Sequence, residues 1–318
     1  MPSVLKISFI VVNWNTKDLT QGCLESLYAS LPEDQFEIIL IDNASGDGSV
    51  EYLRSQFPRV RIIANSENLG FSRANNQGLA VAKGEYAVLV NSDVVVNPLA
   101  VKEVVHFLES HDDVGVAGCN LMGGYTHKIQ EYSFGYFVSL GRVFNQFFGL
   151  FRLSKNIPFL KGITSCPVEK GEPFSVDWIS GAFLAVRMSV YRQIGGLNEQ
   201  YFFYVEDMEW CFRISQAGWK IFFIPEVQVI HFYGASQKTR EQRVVMVEHW
   251  YRNMRSCFSQ YHNRLGVFIF DVLVIAGFSS RYIVARLKKM VKGEDPKFEA
   301  PCNGAIVKLA FKSFLRKE

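Results

Sequence analysis

The chain has 318 residues, 48% of them hydrophobic and 20% charged, a composition that excludes a wholly disordered or fibrous protein. Its 34 basic and 31 acidic residues give a net charge of +3, too little to make nucleic acid the main partner. The charge is unevenly spread, because Arg281 to Glu318 carries 10 basic and 4 acidic residues, net +6, which suits either an anionic lipid surface or an ordinary solvated helix end.

The length predicts about two domains, or one large domain with an appendage. It is enough to bury about 75% of the unfolded surface without disulfides or a structural metal. Six cysteines, at 23, 119, 166, 211, 257 and 302, include no CxxC pair, which excludes zinc ribbons and thioredoxin motifs. Scattered thiols point to a reducing, cytoplasmic setting. The first apolar run, Ile7 to Val12, has the length of a strand and no cleavage site after it, so it is not read as a signal peptide.

Strand and helix patterns then alternate. Ile7–Val12 is a β-rich run closed by Asn13, and Asn15 or Thr16 is positioned to cap a helix over 17–31, with Leu19, Cys23, Leu24, Leu27 and Leu31 at helical spacing. Phe36–Ile41 predicts a second strand ending at Asp42-Asn43. The loop Ala44–Gly48 leads into a helix bearing Val50, Leu53 and Phe57, which Pro58 follows. Val60–Ile63 predicts a third strand, and a short helix passes through Arg73, Ala74 and Asn75. Tyr86–Val90 predicts a fourth strand ending at Asn91-Ser92-Asp93, after which Pro98 opens a helix.

Continuous apolar strands separated by helices imply a parallel sheet covered on both faces. Ligands of such sheets sit beyond the carboxyl ends of the strands, where this chain places Asn13, Asp42-Asn43 and Asn91-Ser92-Asp93. Any one of these clusters also fits an ordinary strand-to-loop transition, since Asn and Asp favour turns. Gly46-Asp47-Gly48 lacks the Gly-Lys-Ser/Thr of a P-loop, and no GxGxxG follows the first strand. Asn43-Ala44-Ser45 matches a glycosylation sequon by chance.

Six ordered motifs carry a resemblance. Ile10–Asn15, Ile41–Ser49, Asn68–Asn76 and Asn91–Asp93 resemble those of family 2 glycosyltransferases, closest to the rhamnosyltransferase-like branch. Phe203–Arg213 resembles that family's catalytic acidic motif, and Trp178–Phe183 its acceptor-side segment. The similarity covers about residues 7–240. It implies an α/β GT-A nucleotide-sugar-binding fold, with a mainly parallel central sheet flanked by helices and a C-terminal helical, membrane-associated extension. The expected division is a catalytic domain over 1–240, in a nucleotide-sugar half (1–120) and an acceptor half (121–240), followed by a basic helical region over 241–318.

By resemblance, the activity is inverting transfer of rhamnose or another hexose from a dTDP- or UDP-sugar to a glycan or polyprenyl-linked glycan, in cell-surface polysaccharide synthesis. Asp207 is the expected base, with Glu206 beside it. Crowded carboxylates raise at least one pKa, which suits proton abstraction. The donor side carries over to Asn13, Asn15, Asp42, Asn68, Gly70, Arg73, Asn91 and Asp93. The acceptor side carries over to Trp178, Ser180, Gly181 and Glu209, although Arg213 stands four residues after Glu209, where a helical ion pair is the simpler reading.

A diphosphate leaving group calls for a divalent cation, and oxygen donors suit Mg²⁺ or Mn²⁺. Where the family has Asp-x-Asp, this chain has Asn91-Ser92-Asp93, which leaves Asp93 as the expected ligand. His231 lies 231 − 207 = 24 residues after Asp207, the spacing of a metal-binding His in that family.

Two stretches depart from a soluble enzyme. Phe134–Phe159 interleaves aromatics with Arg142, Arg152 and Lys155. It fits an interfacial helix, the lining of a lipid-acceptor channel, or a lid packed on the core. Leu265–Phe278, with Asp271 inside, would be a helix of about 21 Å against about 30 Å of hydrocarbon. It is read as lying on the cytoplasmic leaflet or on the catalytic domain. Residues 292–301 read as a charged linker, and Ala305–Leu315 as a short basic helix. The expected location is the cytoplasm, peripheral on the inner face of the membrane, with a homo-oligomer left open and no nucleic acid partner. Two rival readings are a nucleotidyltransferase and a non-catalytic nucleotide-sugar- or membrane-binding subunit.

Overall fold

The computed structural model describes residues 6–164, 166–232, 239–292 and 299–315. The apolar runs form β1 (Ile7–Asn13), β2 (Phe36–Asp42), β3 (Arg61–Ala64) and β4 (Tyr86–Asn91). Between them lie α1 (Lys17–Tyr28), α2 (Ser49–Gln56) and α3 (Gly70–Val81). Next come β5 (Val94–Val95), α4 (Pro98–Ser110), β6 (Val114–Gly123), β7 (Phe134–Gly135) and α5 (Leu140–Phe147). Then follow β8 (Phe174–Ser175), β9 (Trp178–Ile179), β10 (Phe183–Arg187), α6 (Met188–Ile194), α7 (Glu206–Gln216) and β11 (Lys220–His231). The chain ends in α8 (Arg240–Tyr261), α9 (Arg264–Lys292) and α10 (Glu299–Leu315).

Cα packing divides the chain into two units: Met1–Gly135 with Pro167–Phe202 and Glu206–Ser236, and Tyr136–Cys166 with Phe203–Val205 and Gln237–Glu318. The first unit holds the sheet, in the order β3-β2-β1-β4-β10-β6-β11-β5. β1 pairs in parallel with β2 and β4, and β6 with β11, while β10 runs antiparallel between β4 and β6. The expected mainly parallel sheet is thus a mixed one.

Alternate residues of β1 point to opposite faces, and Ile7, Phe9, Ile10 and Val11 are all buried, as a sheet covered on both sides requires. One face packs on Leu24 and Leu27 of α1 and on Val101, Val104 and Val105 of α4. On the other, Gly78 lets α3 approach closely: a Cβ there would stand 2.5 Å from Ile10 Cγ2. Asn97 caps α4 by accepting from the Leu99 N–H, with Pro98 in the first turn, as expected.

Several local expectations are revised. Neither Asn15 nor Thr16 caps α1 with its side chain; the Thr16 hydroxyl turns back to Asn13 instead. α1 stops at Tyr28, where the Ala29 N–H returns to Glu25, short of Leu31. α3 has 12 residues and is not a short helix. α9 has 29, so it runs well beyond Phe278, and α10 already begins at Glu299. Of the expected linker over 292–301, residues 293–298 lie outside the described residues.

The second unit contains α5, α8, α9 and α10, with 3-10 turns at Leu150–Leu153 and Pro158–Leu160. Tyr251 and Arg255 of α8 hold the buried Asp271 of α9, each at 3.0 Å. Gly304 of α10 lies against the ring of Tyr282, and Phe314 against that of Phe268, so α10 runs antiparallel along α9.

Candidate active site

The β1–β2 register sets Asn13 opposite Asp42. Both are buried, and Asn13 Nδ2 donates to Asp42 Oδ2 at 2.7 Å. Asn13 Oδ1 accepts from the Thr16 and Thr20 hydroxyls, while Asp42 Oδ1 accepts from the Ser45 N–H. Asn15, at φ +55°, accepts from the Gly46 N–H and ties the first loop to the second. Buried Asn43, the sequon residue, donates to the Gly70 carbonyl.

Asn68 accepts from the Gly70 N–H, and Gly70 itself sits at φ +82°. A Cβ there would stand 2.7 Å from both the ring and the carbonyl oxygen of Phe202, so only glycine fits without strain. The Phe71 N–H donates to that same carbonyl, and the Ser72 hydroxyl to the Tyr201 carbonyl. Arg73 pairs with Glu199 at 3.4 Å on the surface. Asn76 bonds both the N–H and the carbonyl of Leu197. These contacts fasten the Asn68–Asn76 motif to the chain that leads into the acidic motif.

The Asn91 N–H donates to the Ala182 carbonyl, which joins the fourth-strand motif to the acceptor-side segment. In that segment Trp178 is buried in the small β7–β9 sheet, the Ser180 N–H donates to Ser133, and the Gly181 N–H donates to Asp207 Oδ2 at 3.0 Å. The Met208 N–H donates to Asp207 Oδ1 at 2.8 Å. Tyr204 and Val205, just before α7, have φ of +71° and +75°, conformations that side chains rarely adopt outside functional turns.

Burial raises the pKa of Asp207, against the pull of its N–H donors. Burial, and then the charge of Asp207, push Glu206 well above the usual carboxylate range. Glu206 is buried, and its Oε2 meets no hydrogen-bond partner.

Glu209 stands apart from the other acceptor-side residues. Its two oxygens grip Arg213 at 2.9 and 3.0 Å, and Arg213 also bonds the Ile194 and Gly196 carbonyls. The carboxylate is buried, so its observed work is to fix α7 to the turn before it.

Asp93 Oδ1 lies 3.2 Å from His231 Nε2, and Asn91 Nδ2 lies 3.5 Å from the same nitrogen. Sequence reasoning missed Gln130, which follows β6 in a loop with no pattern to mark it. Gln130 Nε2 donates to the His231 carbonyl, which turns its Oε1 toward His231 Nδ1 at 2.9 Å. That orientation makes Nδ1 the N–H donor and points the Nε2 lone pair at Asp93. Two electron-rich atoms facing each other suit a cation between them, and an oxygen with an imidazole nitrogen suits Mn²⁺ or Mg²⁺. Among the described residues, no three His, Cys, Asp or Glu side chains gather as a metal group.

The comparisons with known proteins agree with this geometry. The sequence matches the families described as Glycosyl transferase family 2, over residues 8–162, and Glycosyl transferase family group 2, over residues 86–292. The chain belongs to the family 2 glycosyltransferases, and it is a glycosyltransferase. It is 28% identical over 227 residues to an N-acetylglucosaminyl-diphospho-decaprenol L-rhamnosyltransferase of Mycobacterium tuberculosis, covering 65% of this chain and 71% of that one. It is 24% identical over 236 residues to the rhamnosyltransferase WbbL of Escherichia coli, covering 71% and 83%.

Among solved structures, the mannosyltransferase PcManGT of Pyrobaculum calidifontis, in complex with GDP-Man and Mn²⁺, superposes with a TM-score of 0.60 at 14% identity, covering 98% of this chain and 87% of that one. Residues 1–349 of S. aureus TarS give 0.52 at 14%, covering 98% and 92%. These likenesses establish the GT-A fold. Family membership sets aside the nucleotidyltransferase and non-catalytic readings.

Proposed function

We propose that this chain transfers rhamnose or a related hexose, with inversion, from a dTDP- or UDP-sugar to a hydroxyl of a polyprenyl-linked glycan, in cell-surface polysaccharide synthesis at the cytoplasmic face of the membrane. The observation that carries the reading is Asp207. Both of its oxygens are oriented by backbone N–H groups, one of them from Gly181, and the buried Glu206 precedes it on the chain, its pKa pushed up by burial and then by the charge of Asp207.

Asn13 and Asp42, buried and bonded to each other, fix the strand ends and loops that border the nucleoside, and Asn68 and Gly70 shape the backbone next to them. The acceptor hydroxyl donates its proton to Asp207 as its oxygen attacks the anomeric carbon. Attack from the side opposite the diphosphate inverts that centre, so the enzyme needs no covalent intermediate. Asp93 and His231 are the residues that would hold a divalent cation, with Asn91 beside them. When bound, the cation neutralises charge on the departing diphosphate. The lipid-linked acceptor is supported by the decaprenol-linked substrate in the name of the mycobacterial relative.

The test is turnover of dTDP-rhamnose and UDP-hexoses with a polyprenyl-diphosphate N-acetylglucosamine acceptor, read as nucleoside diphosphate released and as glycolipid formed. Metal-dependent transfer by the wild type, abolished in Asp207→Asn, is expected. Donor hydrolysis without glycolipid would sink the acceptor assignment, and equal turnover by the variant would sink the base.

A further inference from the structure

The two units carry opposite charge. The sheet-bearing unit has 14 basic and 24 acidic residues, net −10, while the helical unit has 20 and 7, net +13. The overall value of +3 conceals this split. Within the helical unit, Tyr136–Cys166 contains Arg142, Arg152, Lys155 and Lys161 and no carboxylate.

The same unit leaves large apolar side chains in water. Phe159 is 88% exposed, and Leu153 and Ile157 flank it beside exposed Arg152 and Lys155. Phe144 and Phe148 are both exposed on α5, their rings 4.7 Å apart. On α9, Leu265, Phe268 and Val272 are exposed, and further along so are Ile283 and Leu287. These positions recur at helical spacing and form one stripe, while Phe270, Val274 and Phe278 fill the opposite face. Exposed Arg264 and Arg286 lie beside the stripe.

We infer that the helical unit docks on an anionic lipid bilayer, with α9 lying in the plane of the membrane and Phe159 inserted at the tip of its loop. This deepens the functional reading above and rests on its membrane-linked acceptor. Arg264–Lys288 is long and apolar enough to span a bilayer by length and composition. A lone span has lipid on all sides, whereas α9 is held by α8, α5 and α10. Asp271, in its apolar middle, is buried against Arg255 and Tyr251 of α8. Arg281 is bonded to the Gln146 and Phe147 carbonyls of α5, and α10 runs along a third flank. Spanning would strip these partners away and leave Asp271 in hydrocarbon, which is costly. A helix with one free apolar stripe and cations beside it is the form that lies at an interface.

Charge also decides between lipid and a second copy of the chain. Two copies joined by this face would bring together two surfaces of net +13, whereas phosphatidylglycerol supplies the opposite charge.

The experiment is co-sedimentation of the whole chain with vesicles of phosphatidylcholine alone and of phosphatidylcholine with about one-third phosphatidylglycerol. Binding to the anionic vesicles is expected to be at least about tenfold tighter and to weaken with salt. The double variant Leu153→Ser/Phe159→Ser alters exposed positions only. It should lose about tenfold in vesicle binding and keep its far-ultraviolet spectrum and its affinity for nucleoside diphosphate.

Failure of the folded wild type to sediment, equal binding to neutral vesicles, or wild-type binding by the double variant overturns the inference. A dimer in solution that the same variant dissociates assigns the face to a second copy and also overturns it. Transfer to a water-soluble acceptor analogue is measured in parallel. Its absence alongside intact anionic-vesicle binding sinks the functional reading and leaves the docking surface standing.

Discussion

Gln130 and His231 hold each other twice: the glutamine amide donates to the histidine carbonyl at 3.0 Å, and the imidazole Nδ1–H donates back to the glutamine oxygen at 2.9 Å. The amide thus sets both the tautomer and the aim of the ring toward Asp93. Gln130→Leu should weaken Mn²⁺ binding in the presence of nucleoside diphosphate by roughly 10–100-fold. Titration followed by electron paramagnetic resonance reads this directly. Unchanged affinity would mean that the ring is aimed by other contacts.

Asp207→Asn keeps the shape and the acceptor atom toward one N–H but removes the base. Its kcat should fall roughly a thousand-fold, with the nucleoside diphosphate Kd within about threefold of wild type. Calorimetry and turnover separate the two, and a variant that loses binding in step with turnover would point to a structural role.

Burial, then Asp207, raise the Glu206 pKa above its unfolded value. Such a group favours the fold below the unfolded pKa and costs stability as pH rises through the folded one. Glu206→Gln removes that cost, so the Tm of the variant relative to wild type should climb as the pH rises above the ordinary carboxylate range. Asp207 is raised too, so kcat/KM should fall as the pH drops through its folded pKa. A Tm difference that stays flat with pH would show that Glu206 is not held neutral.

At Gly70, a methyl group meets both an unfavourable φ and Phe202. Gly70→Ala should cost about 2–4 kcal/mol in denaturant unfolding and impair donor binding. A loss below about 0.5 kcal/mol would show that the loop yields easily.

Arg213→Ala leaves the Glu209 carboxylate buried and unpaired. About 3 kcal/mol of stability should be lost, while the acceptor KM of the protein that remains folded stays as in wild type. A raised acceptor KM with normal stability would restore Glu209 to the acceptor site.

What could be read in advance follows from how local each signal is. Strands β1, β2 and β4 announce themselves because a strand covered on both faces must be apolar throughout, and the closing polar residues of β1 and β2 are brought together by the register, Asn13 beside Asp42. The ion pair of Glu209 with Arg213 follows from helical spacing alone. The antiparallel β10 was not legible, because strand direction is set by pairing with β4 and β6 and not by Phe183–Arg187 themselves. Gln130 was invisible for the same reason, since its partner is 101 residues away. The helical unit draws Tyr136–Cys166 to α8, α9 and α10 across a long sequence gap, and although its aromatic, carboxylate-free composition stands out, nothing local says which distant helices it joins.

The place of β10 in the sheet bears on how the protein is made. β4 and β6 both wait for it, and Phe183 follows Asn91 by 92 residues. At ribosomal rates of about 5–20 residues per second, the edge of β4 stays uncovered for roughly 5–20 s of synthesis. During that interval the emerging chain offers a bare apolar strand to any neighbour, which makes this step the point of greatest need for a chaperone. Fragments cut before β10 keep that edge for good and should collect in inclusion bodies.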